Sequence, residues 1–351
     1  MTPARAGCST RCVGATLTLL LAAGGAVLAA ELVLRARHAP VSYTALFVDD
    51  DSLGYTCASG FDAPVRSGTT RLLRSDAEGV FDRSGRGAPS LLVLGDAAIA
   101  GLELDARRRL AARLGDALHR QTVNLGCPGY GTLQEALLMR RWQGRLARGG
   151  AVIVAFNLTS DVFDNVPEWE GPNIPGITRS ATGDVQLRLP HRRSWLARQV
   201  ASLAKATRLY GAYSLRHDQG SAVVMMPQQR WLFEDTPPPD IARGLSALAL
   251  SATLLQRAAD AAGLRVVPIV WVDWGAVPGP GRAAAVARAL KRVEQETGWH
   301  FANGSGLREP RDLASWERRM FAVGTRHASA EGVDSVRAEI VAALRSVPGQ
   351  S

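Results

Sequence analysis

The chain has 351 residues, of which 46% are hydrophobic, and this is enough to bury one large core or two modest ones. Its 41 lysines and arginines outnumber 32 aspartates and glutamates, and the formal net charge is +9. The cationic residues are almost all arginines spread singly along the chain, and aromatic residues do not alternate with them as in single-strand binders. The charge therefore does not predict a nucleic-acid partner.

The N-terminal region contains a long apolar run. Residues 13–30 carry no charged side chain, and Leu32-Val33-Leu34 extends the run past Glu31. Because a helix needs about 20 apolar residues to span a bilayer, we expect a single transmembrane anchor over residues 13–34. Arg5 and Arg11 precede it, which favours a cytoplasmic segment 1–12. The main domain is then extracytoplasmic, either in the periplasm or at the cell surface.

A cleaved signal peptide is the competing interpretation of the same run. Small residues at Ala29-Ala30 resemble a cleavage site, but a signal-peptide core usually has only about 7–15 apolar residues. Arg35, Arg37 and His38 follow the run and weaken the prediction of orientation. An uncleaved, single-pass anchor is the interpretation that we favour.

The rest of the chain predicts an α/β fold. Residues 35–88 form a polar, glycine-rich lead-in expected to contain turns and short strands, and from residue 89 apolar strands alternate with helical segments. We therefore expect a parallel sheet of about five strands flanked by helices in one domain, 89–351, with an insertion at about 164–240. The predicted strands are Ser90–Leu94, Thr122–Leu125, Ala151–Phe156, Arg265–Trp271 and Trp299–Ala302.

Four helices are predicted around these strands. Gly263 is placed to end one of them, because glycine adopts the left-handed conformation found at helix C-termini. The last helix has an apolar face formed by Val333, Val336, Ile340, Val341 and Leu344. The predicted helices are Ala106–Arg120, Leu133–Arg148, Asp240–Ala262 and Ala330–Ser346.

Four segments that follow strands or precede the last helix carry the candidate site. The first strand ends in Gly95-Asp96-Ala97, at the sheet edge where open α/β folds bind ligands. The second is followed by the glycine-rich segment Asn124–Thr132, whose glycines allow backbone N–H groups to approach a ligand. The third is followed by Asn157–Asp161, and His327 lies just before the last helix.

In this order the four segments resemble the blocks of the SGNH/GDSL hydrolases, esterases and acyltransferases built on a flavodoxin-like sheet. The likeness covers about residues 88–346 and extends to Leu53-Gly54-Tyr55 and to Glu31 and Arg35 after the anchor. The resemblance implies the following positions: Ala97 at the serine nucleophile, Gly129 and Ser160 at two oxyanion donors, Asp161 as the retained aspartate, His327 as the base, and Thr325 at the acid that orients it, with Gly324 the other position for that acid.

Ala97, Ser160 and Thr325 differ from the residues that the family has at these positions, and these differences predict a degenerate active site. Ala97 has no oxygen with which to form an acyl-enzyme, and Thr325 cannot stabilise an imidazolium as a carboxylate does. We expect a binding or assembly component, and the resemblance implies a role in envelope or polysaccharide acylation with acylated carbohydrate or envelope proteins as partners. The alternatives are an active esterase or O-acyltransferase with a displaced nucleophile and His327 as base, and a purely structural element.

The sequence predicts neither a cofactor nor a metal. No Cys-x-x-Cys pair or Cys/His cluster is present, and Asp96 and Asp161 are expected to hold loop backbone rather than to act as bases. Cys127 is a candidate substitute nucleophile, but a small buried thiol is the commoner role. In an oxidising compartment a disulfide between Cys57 and Cys127 is possible.

Overall fold

The structure is a computed structural model that describes residues 7–67, 69–85, 87–165, 173–180, 182–191, 194–205, 207–217, 231–277, 279–304, 307–321 and 329–345. Its helices are α1 (Gly7–Ala36), α2 (Ala97–Ala100), α3 (Leu110–Leu118), α4 (Thr132–Trp142), α5 (Asp161–Asp164), α6 (Trp195–Lys205), α7 (Arg208–His217), α8 (Pro239–Ala262), α9 (Arg282–Thr297), α10 (Leu313–Met320) and α11 (Ala330–Arg345). Its strands are β1 (Val41–Ser42), β2 (Phe47–Asp50), β3 (Gly54–Cys57), β4 (Asp62–Ser67), β5 (Thr69–Arg74), β6 (Asp82–Arg83), β7 (Leu91–Leu94), β8 (Thr122–Asn124), β9 (Ala151–Asn157), β10 (Gly176–Arg179), β11 (Val185–Arg188) and β12 (Arg265–Trp271).

A five-stranded sheet forms the centre of the fold, with the strand order β12-β9-β7-β8-β6. The first four of these strands are parallel, and β6 is antiparallel at the edge. From β7 the chain first moves to β8 on one side and then returns to β9 on the other. The carboxyl ends of β7 and β9 therefore border the point where the strand order reverses, which is where ligands bind in open sheets of this kind.

Side chains from both faces of the sheet enter hydrophobic cores, so the mostly parallel sheet lies between two helical layers. Successive residues of β7 and β9 point to opposite faces. Leu92, Leu94 and Val152 share a core with α4, α8 and α9. Leu91 and Val93 lie on the other face, in the core that α3 and α11 cover.

The structure confirms four of the five predicted strands, but the predicted strand Trp299–Ala302 is wrong. In that segment only the Ala302 N–H donates to a strand carbonyl, Pro268 O, at 2.9 Å. Next to it, the Asn303 side chain, instead of the backbone, bonds to β12: its amide accepts from Val270 N and donates to Val270 O, both at 2.8 Å. The fifth strand is β6, whose two residues are too few to show a periodic pattern.

The helix predictions are confirmed for α8 and α11 and are too long for α3 and α4. Gly263 ends α8 with φ of 68°. The predicted helix Ala106–Arg120 begins with a short 3-10 turn and becomes α3 only after Arg109, whose backbone is extended. Similarly, α4 ends at Trp142 and a 3-10 turn containing Gly144 follows. Of the apolar face predicted for α11, Val333, Val336 and Ile340 are buried, and Val341 and Leu344 are partly buried.

The lead-in and the insertion form small structures of their own beside the main sheet. Strands β1, β4 and β5 make a three-stranded sheet, and β2 and β3 make a hairpin. The insertion contributes the β10–β11 hairpin together with α6 and α7. A separate apolar cluster beneath the lead-in includes Val41, Leu46 and Leu73, and it reaches Ala100 and Leu102 beside the main sheet.

Helix α1 contains one segment, Val13–Ala36, that is long and apolar enough to cross a membrane, with a mean hydropathy of 2.2 over its most apolar part. Near its end the helix contacts the insertion through Glu31. The backbone N–H groups of Arg208 and Leu209, in the first turn of α7, donate to the Glu31 carboxylate at 2.9 and 3.0 Å. Glu31 therefore caps α7 and fixes the end of α1 to the insertion.

A buried ion pair between α3 and β6 generates a stability prediction. The Arg109 guanidinium donates to Asp82 Oδ1 at 2.8 Å, and both side chains are almost fully buried. We expect Arg109→Met to lower the free energy of unfolding by about 3–5 kcal/mol, because it leaves the Asp82 carboxyl buried without its partner. Urea unfolding of the detergent-solubilised chain measures this, and Arg108→Met on the exposed 3-10 turn is the control. A change equal to that of the control would contradict the prediction.

Candidate functional site

In the turn after β7, the backbone of Gly95 lies close to neighbouring side chains. A β-carbon at Gly95 would lie 2.4 Å from Ile99 Cγ1 and 3.3 Å from Ala155 Cβ, so a larger residue does not fit without a shift. Asp96 caps α2, since its Oδ1 accepts from the Ala98 N–H at 2.8 Å. Ala97 is the first residue of α2 and is partly exposed, so at this position the turn presents a methyl group.

Asn124, at the end of β8, ties the second loop to the first. Its Nδ2 donates to Ile99 O at 3.0 Å and to Asp82 Oδ2 at 3.2 Å, while its Oδ1 accepts from Gly126 N at 2.9 Å. In addition, the Cys127 N–H donates to Gly95 O at 3.0 Å. All the polar atoms of the Asn124 side chain are thus used within the fold, and the glycine-rich loop is held against the β7 turn.

Gly129, the predicted oxyanion glycine, is exposed and has φ of 75°, a backbone conformation that favours glycine. The lead-in covers one side of it. A β-carbon at Gly129 would lie 2.7 Å from Tyr55 Oη, and this hydroxyl donates to Pro128 O at 2.8 Å. In return, Tyr130 Oη donates to Tyr55 O at 2.7 Å. The hairpin strand β3 is therefore part of the wall of the site.

The third loop folds around Asp161. Its Oδ2 accepts from Asn157 N at 2.7 Å, and its Oδ1 accepts from the Ser160 hydroxyl at 3.1 Å. The hydroxyl of Ser160, the predicted oxyanion donor, thus donates its hydrogen bond to Asp161. The Asn157 side chain reaches the first loop, where its Nδ2 lies 3.5 Å from Asp96 Oδ2. All three loops are therefore brought to one edge of the sheet.

Glu135 is a further acidic residue at this edge, and the sequence analysis missed it. It lies in the first turn of α4, directly after the glycine-rich loop, and is only 2% exposed. Its Oε1 has no hydrogen-bond partner among the described residues. The pair Gln134-Glu135 at the start of a helix that follows a strand-end loop was the available signal, because the N-terminus of such a helix points towards the site.

Burial and mutual repulsion control the protonation of this edge. Burial, followed by the charge of Asp96, raises the pKa of Asp161 well above its usual value. Burial, followed by the charges of Asp161 and Asp96, does the same to the pKa of Glu135. Both shifts disfavour the ionised forms of Asp161 and Glu135 beside the charge of Asp96.

His327, the predicted base, and Thr325, the position of the predicted acid, lie outside the described residues. The same holds for Gly324. Among the residues that are described, no group of three or more His, Cys, Asp or Glu side chains is arranged to hold a metal ion.

A cavity of about 270 Å³ lies between the glycine-rich loop and the lead-in. Gly126, Cys127 and Tyr130 line it on one side, and Cys57 and Phe81 line it on the other. Cys57 and Cys127 are free thiols whose sulfur atoms are 3.6 Å apart. Burial raises the pKa of the Cys127 thiol, so at neutral pH it is held in the unreactive thiol form rather than as a nucleophile.

Comparison with known proteins adds no assignment: no protein-family model matches the chain, and no curated protein is significantly similar to it.

The pKa of Glu135 generates a pH prediction. Because the folded chain holds this proton more tightly than the unfolded chain, the contribution of Glu135 to the stability of the parent falls as pH rises from about 4.5, the value for an unfolded glutamate, through the folded pKa. We expect Glu135→Gln, which is neutral at every pH, to become more stable relative to the parent over that rise, by at most about 1.4 kcal/mol per pH unit. Urea unfolding at a series of pH values measures the difference.

The exposed Glu296→Gln variant on α9 is the matched control. A difference between Glu135→Gln and the parent that stays constant with pH would show that Glu135 is not held neutral by the fold.

The thiol pair generates a second prediction for this site. We expect oxidised glutathione to react first with the partly exposed Cys57, which releases one molecule of reduced glutathione, and the Cys127 sulfur then to displace the second. The proximity of the two sulfurs offsets the small thiolate fraction of Cys127. The bond closes a loop of 70 residues, which stabilises a protein by about 4 kcal/mol in the chain-entropy treatment. Peptide mapping identifies the link and a thermal melt measures the gain, with Cys57→Ser as the control; unlinked peptides after oxidation would contradict the prediction.

Proposed function

We propose that this chain is a membrane-anchored, extracytoplasmic SGNH-like protein that lacks serine-dependent hydrolysis and binds an acylated ligand at the carboxyl edge of its sheet. The observation that carries the proposal is Ala97. It occupies the first position of α2, at the strand-end turn that borders the reversal of strand order. Without a side-chain oxygen at this position, no acyl-enzyme forms there.

The hydrogen bonds that the neighbouring polar groups already make support the proposed absence of catalysis. Asp96 caps α2, and the Ser160 hydroxyl donates to Asp161. The raised pKa values of Asp161 and Glu135 keep this edge closer to neutral than three ionised carboxylates would. A weakly charged edge beside a partly exposed methyl group suits a neutral acyl group better than an anion.

The order of the parallel strands supports a flavodoxin-like arrangement. Numbered along the chain, β7, β8, β9 and β12 are the first to fourth parallel strands, and their spatial order is 2-1-3-4. This is the order of the first four strands in flavodoxin-like sheets. The fold that the SGNH resemblance implies is therefore compatible with this sheet.

The location proposed for the domain rests on α1. The segment Val13–Ala36 is of suitable length and hydropathy to cross a bilayer, and Arg5 and Arg11 before it favour a cytoplasmic N-terminus. An extracytoplasmic domain would meet acylated carbohydrate or envelope proteins, which are the partners that the resemblance implies. Binding or assembly within envelope acylation is the role we propose.

The test combines hydrolysis and binding by the full chain in lipid nanodiscs. We expect no hydrolysis of p-nitrophenyl acetate above that of empty nanodiscs or of the His327→Ala variant. We also expect binding of an O-acetylated oligosaccharide but not of its deacetylated form. Ala97→Leu should weaken that binding at least tenfold, about 1.4 kcal/mol, by filling the space above the turn.

Asp235→Ala, far along the chain from the three loops, is the control for the binding assay. Hydrolysis that His327→Ala abolishes would overturn the proposal in favour of an active esterase or acyltransferase with a displaced nucleophile. Equal binding of the acetylated and deacetylated probes, or no binding of either, would exclude the acylated ligand.

A further inference from the structure

Helix α6 turns its apolar face away from the protein. Leu196, Val200 and Leu203 are 65%, 58% and 69% exposed. At spacings of four and three residues they form a single stripe along the helix. In a water-soluble domain such a stripe would normally face the core.

The charged side of the same helix faces the protein instead. Arg198 forms an ion pair with Asp51, and Lys205 Nζ donates to Phe47 O at 3.1 Å and lies 3.8 Å from Asp49 Oδ1. These contacts hold α6 against the β2–β3 hairpin by its polar face. The exposure of the apolar stripe is thus a consequence of how the helix is fixed.

Exposed apolar side chains of this size are concentrated in the insertion. Outside α1, the large apolar side chains that are exposed among the described residues lie between residues 185 and 213, with Leu72 as the one exception. The stripe therefore does not belong to a general scatter of apolar residues over the surface.

The insertion is also the part of the domain that contacts the end of the anchor. Glu31 accepts from the backbone N–H groups of Arg208 and Leu209. Lys205, the last residue of α6, precedes Arg208 by only three residues, and three residues span at most about 11 Å. The C-terminal end of α6 is therefore close to Glu31.

The position of Glu31 along α1 determines how deep in the membrane its contact with α7 lies. Residues 13–30 are uncharged, and 18 helical residues are about 27 Å long, close to the roughly 30 Å of bilayer hydrocarbon. Glu31 thus lies near the hydrocarbon boundary, followed by the exposed Arg35 and Arg37 at the level of the headgroups. The first turn of α7 and the end of α6 lie at the same level.

We propose that α6 lies on the surface of the membrane that α1 spans, with Leu196, Val200 and Leu203 inserted between the lipid headgroups and the upper acyl chains. The occupant of the apolar stripe is therefore lipid. This inference rests on the proposed anchoring of α1, and it adds a second, interfacial attachment that fixes the tilt of the domain on the bilayer.

Nitroxide labels on the full chain test the orientation of α6. The labels are attached through a genetically encoded reactive residue, so that the native cysteines remain, at Leu20, Val200 or Ser202 in nanodiscs of phosphatidylethanolamine and phosphatidylglycerol. Collision with oxygen, which concentrates in hydrocarbon, is compared with collision with a water-soluble nickel chelate. We expect oxygen to dominate at Leu20 and Val200, and the nickel chelate to dominate at the exposed control position Ser202.

The outcomes separate this inference from the anchoring itself. A label that meets lipid at Leu20 but water at Val200 would overturn the interfacial helix and leave the anchor in place. A label that meets water at Leu20 would overturn both. Dipolar broadening between Val200 labels of different chains would assign the stripe to a second copy of the chain and overturn the lipid assignment.

A variant extends the test to the stripe as a unit. With the label at Leu196, the double change Val200→Gln and Leu203→Gln should raise nickel accessibility several-fold, because the helix loses its apolar hold on the lipid. The matched change Gln199→Ala and Ser202→Ala, on exposed positions of the same helix, should leave it unchanged. Equal accessibility in the two variants would contradict the proposal.

Discussion

Two asparagine side chains hold the site-forming loops of this protein together. Parallel strands end at a common edge, and one backbone hydrogen bond, from Cys127 N to Gly95 O, joins the loops that follow β7 and β8. Asn124 bonds to both its own loop and the β7 turn. The Asn157 side chain accepts from Thr159 in its own loop and donates to Asp96 after β7. Each amide both donates and accepts, which a carboxylate or a hydroxyl in the same place cannot do as fully. The geometry around Ala97 depends on these contacts.

This arrangement explains how the edge keeps its shape with an alanine at position 97. Asp96 caps α2 through its carboxylate, and Asp161 organises its own loop, so both acids have structural work that does not involve a nucleophile. The raised pKa values of Asp161 and Glu135 limit the repulsion that three neighbouring carboxylates would otherwise produce. The hydrogen bonds around position 97 therefore form without a side-chain oxygen at Ala97.

The sequence predicted those parts of the structure that follow from long apolar periodicity. Strands β7, β9 and β12 are continuous apolar runs, and α8 ends where Gly263 permits it. The sequence-based predictions were wrong where a single side chain makes the decisive contacts. Asn303 bonds to β12 through its side chain where a strand was predicted. The buried Arg109 is extended, and α3 begins only after it. The local pattern at the start of α4 indicates the position of Glu135, but the burial of its side chain depends on tertiary packing and could not be predicted.

The insertion connects the end of α1 to the rest of the domain. Exposure of the apolar stripe of α6 to water is energetically unfavourable. The ion pair of Arg198 with Asp51 and the contact of Lys205 with Phe47 nevertheless hold that stripe outward. In the interfacial position proposed for α6, this outer face meets lipid instead of water. The Glu31 cap places the helix beside the end of α1, which is the segment proposed to span the membrane. The same cap joins α1 to the insertion, and the contacts of α6 with Asp51 and Phe47 join the insertion to the lead-in strands beside the site.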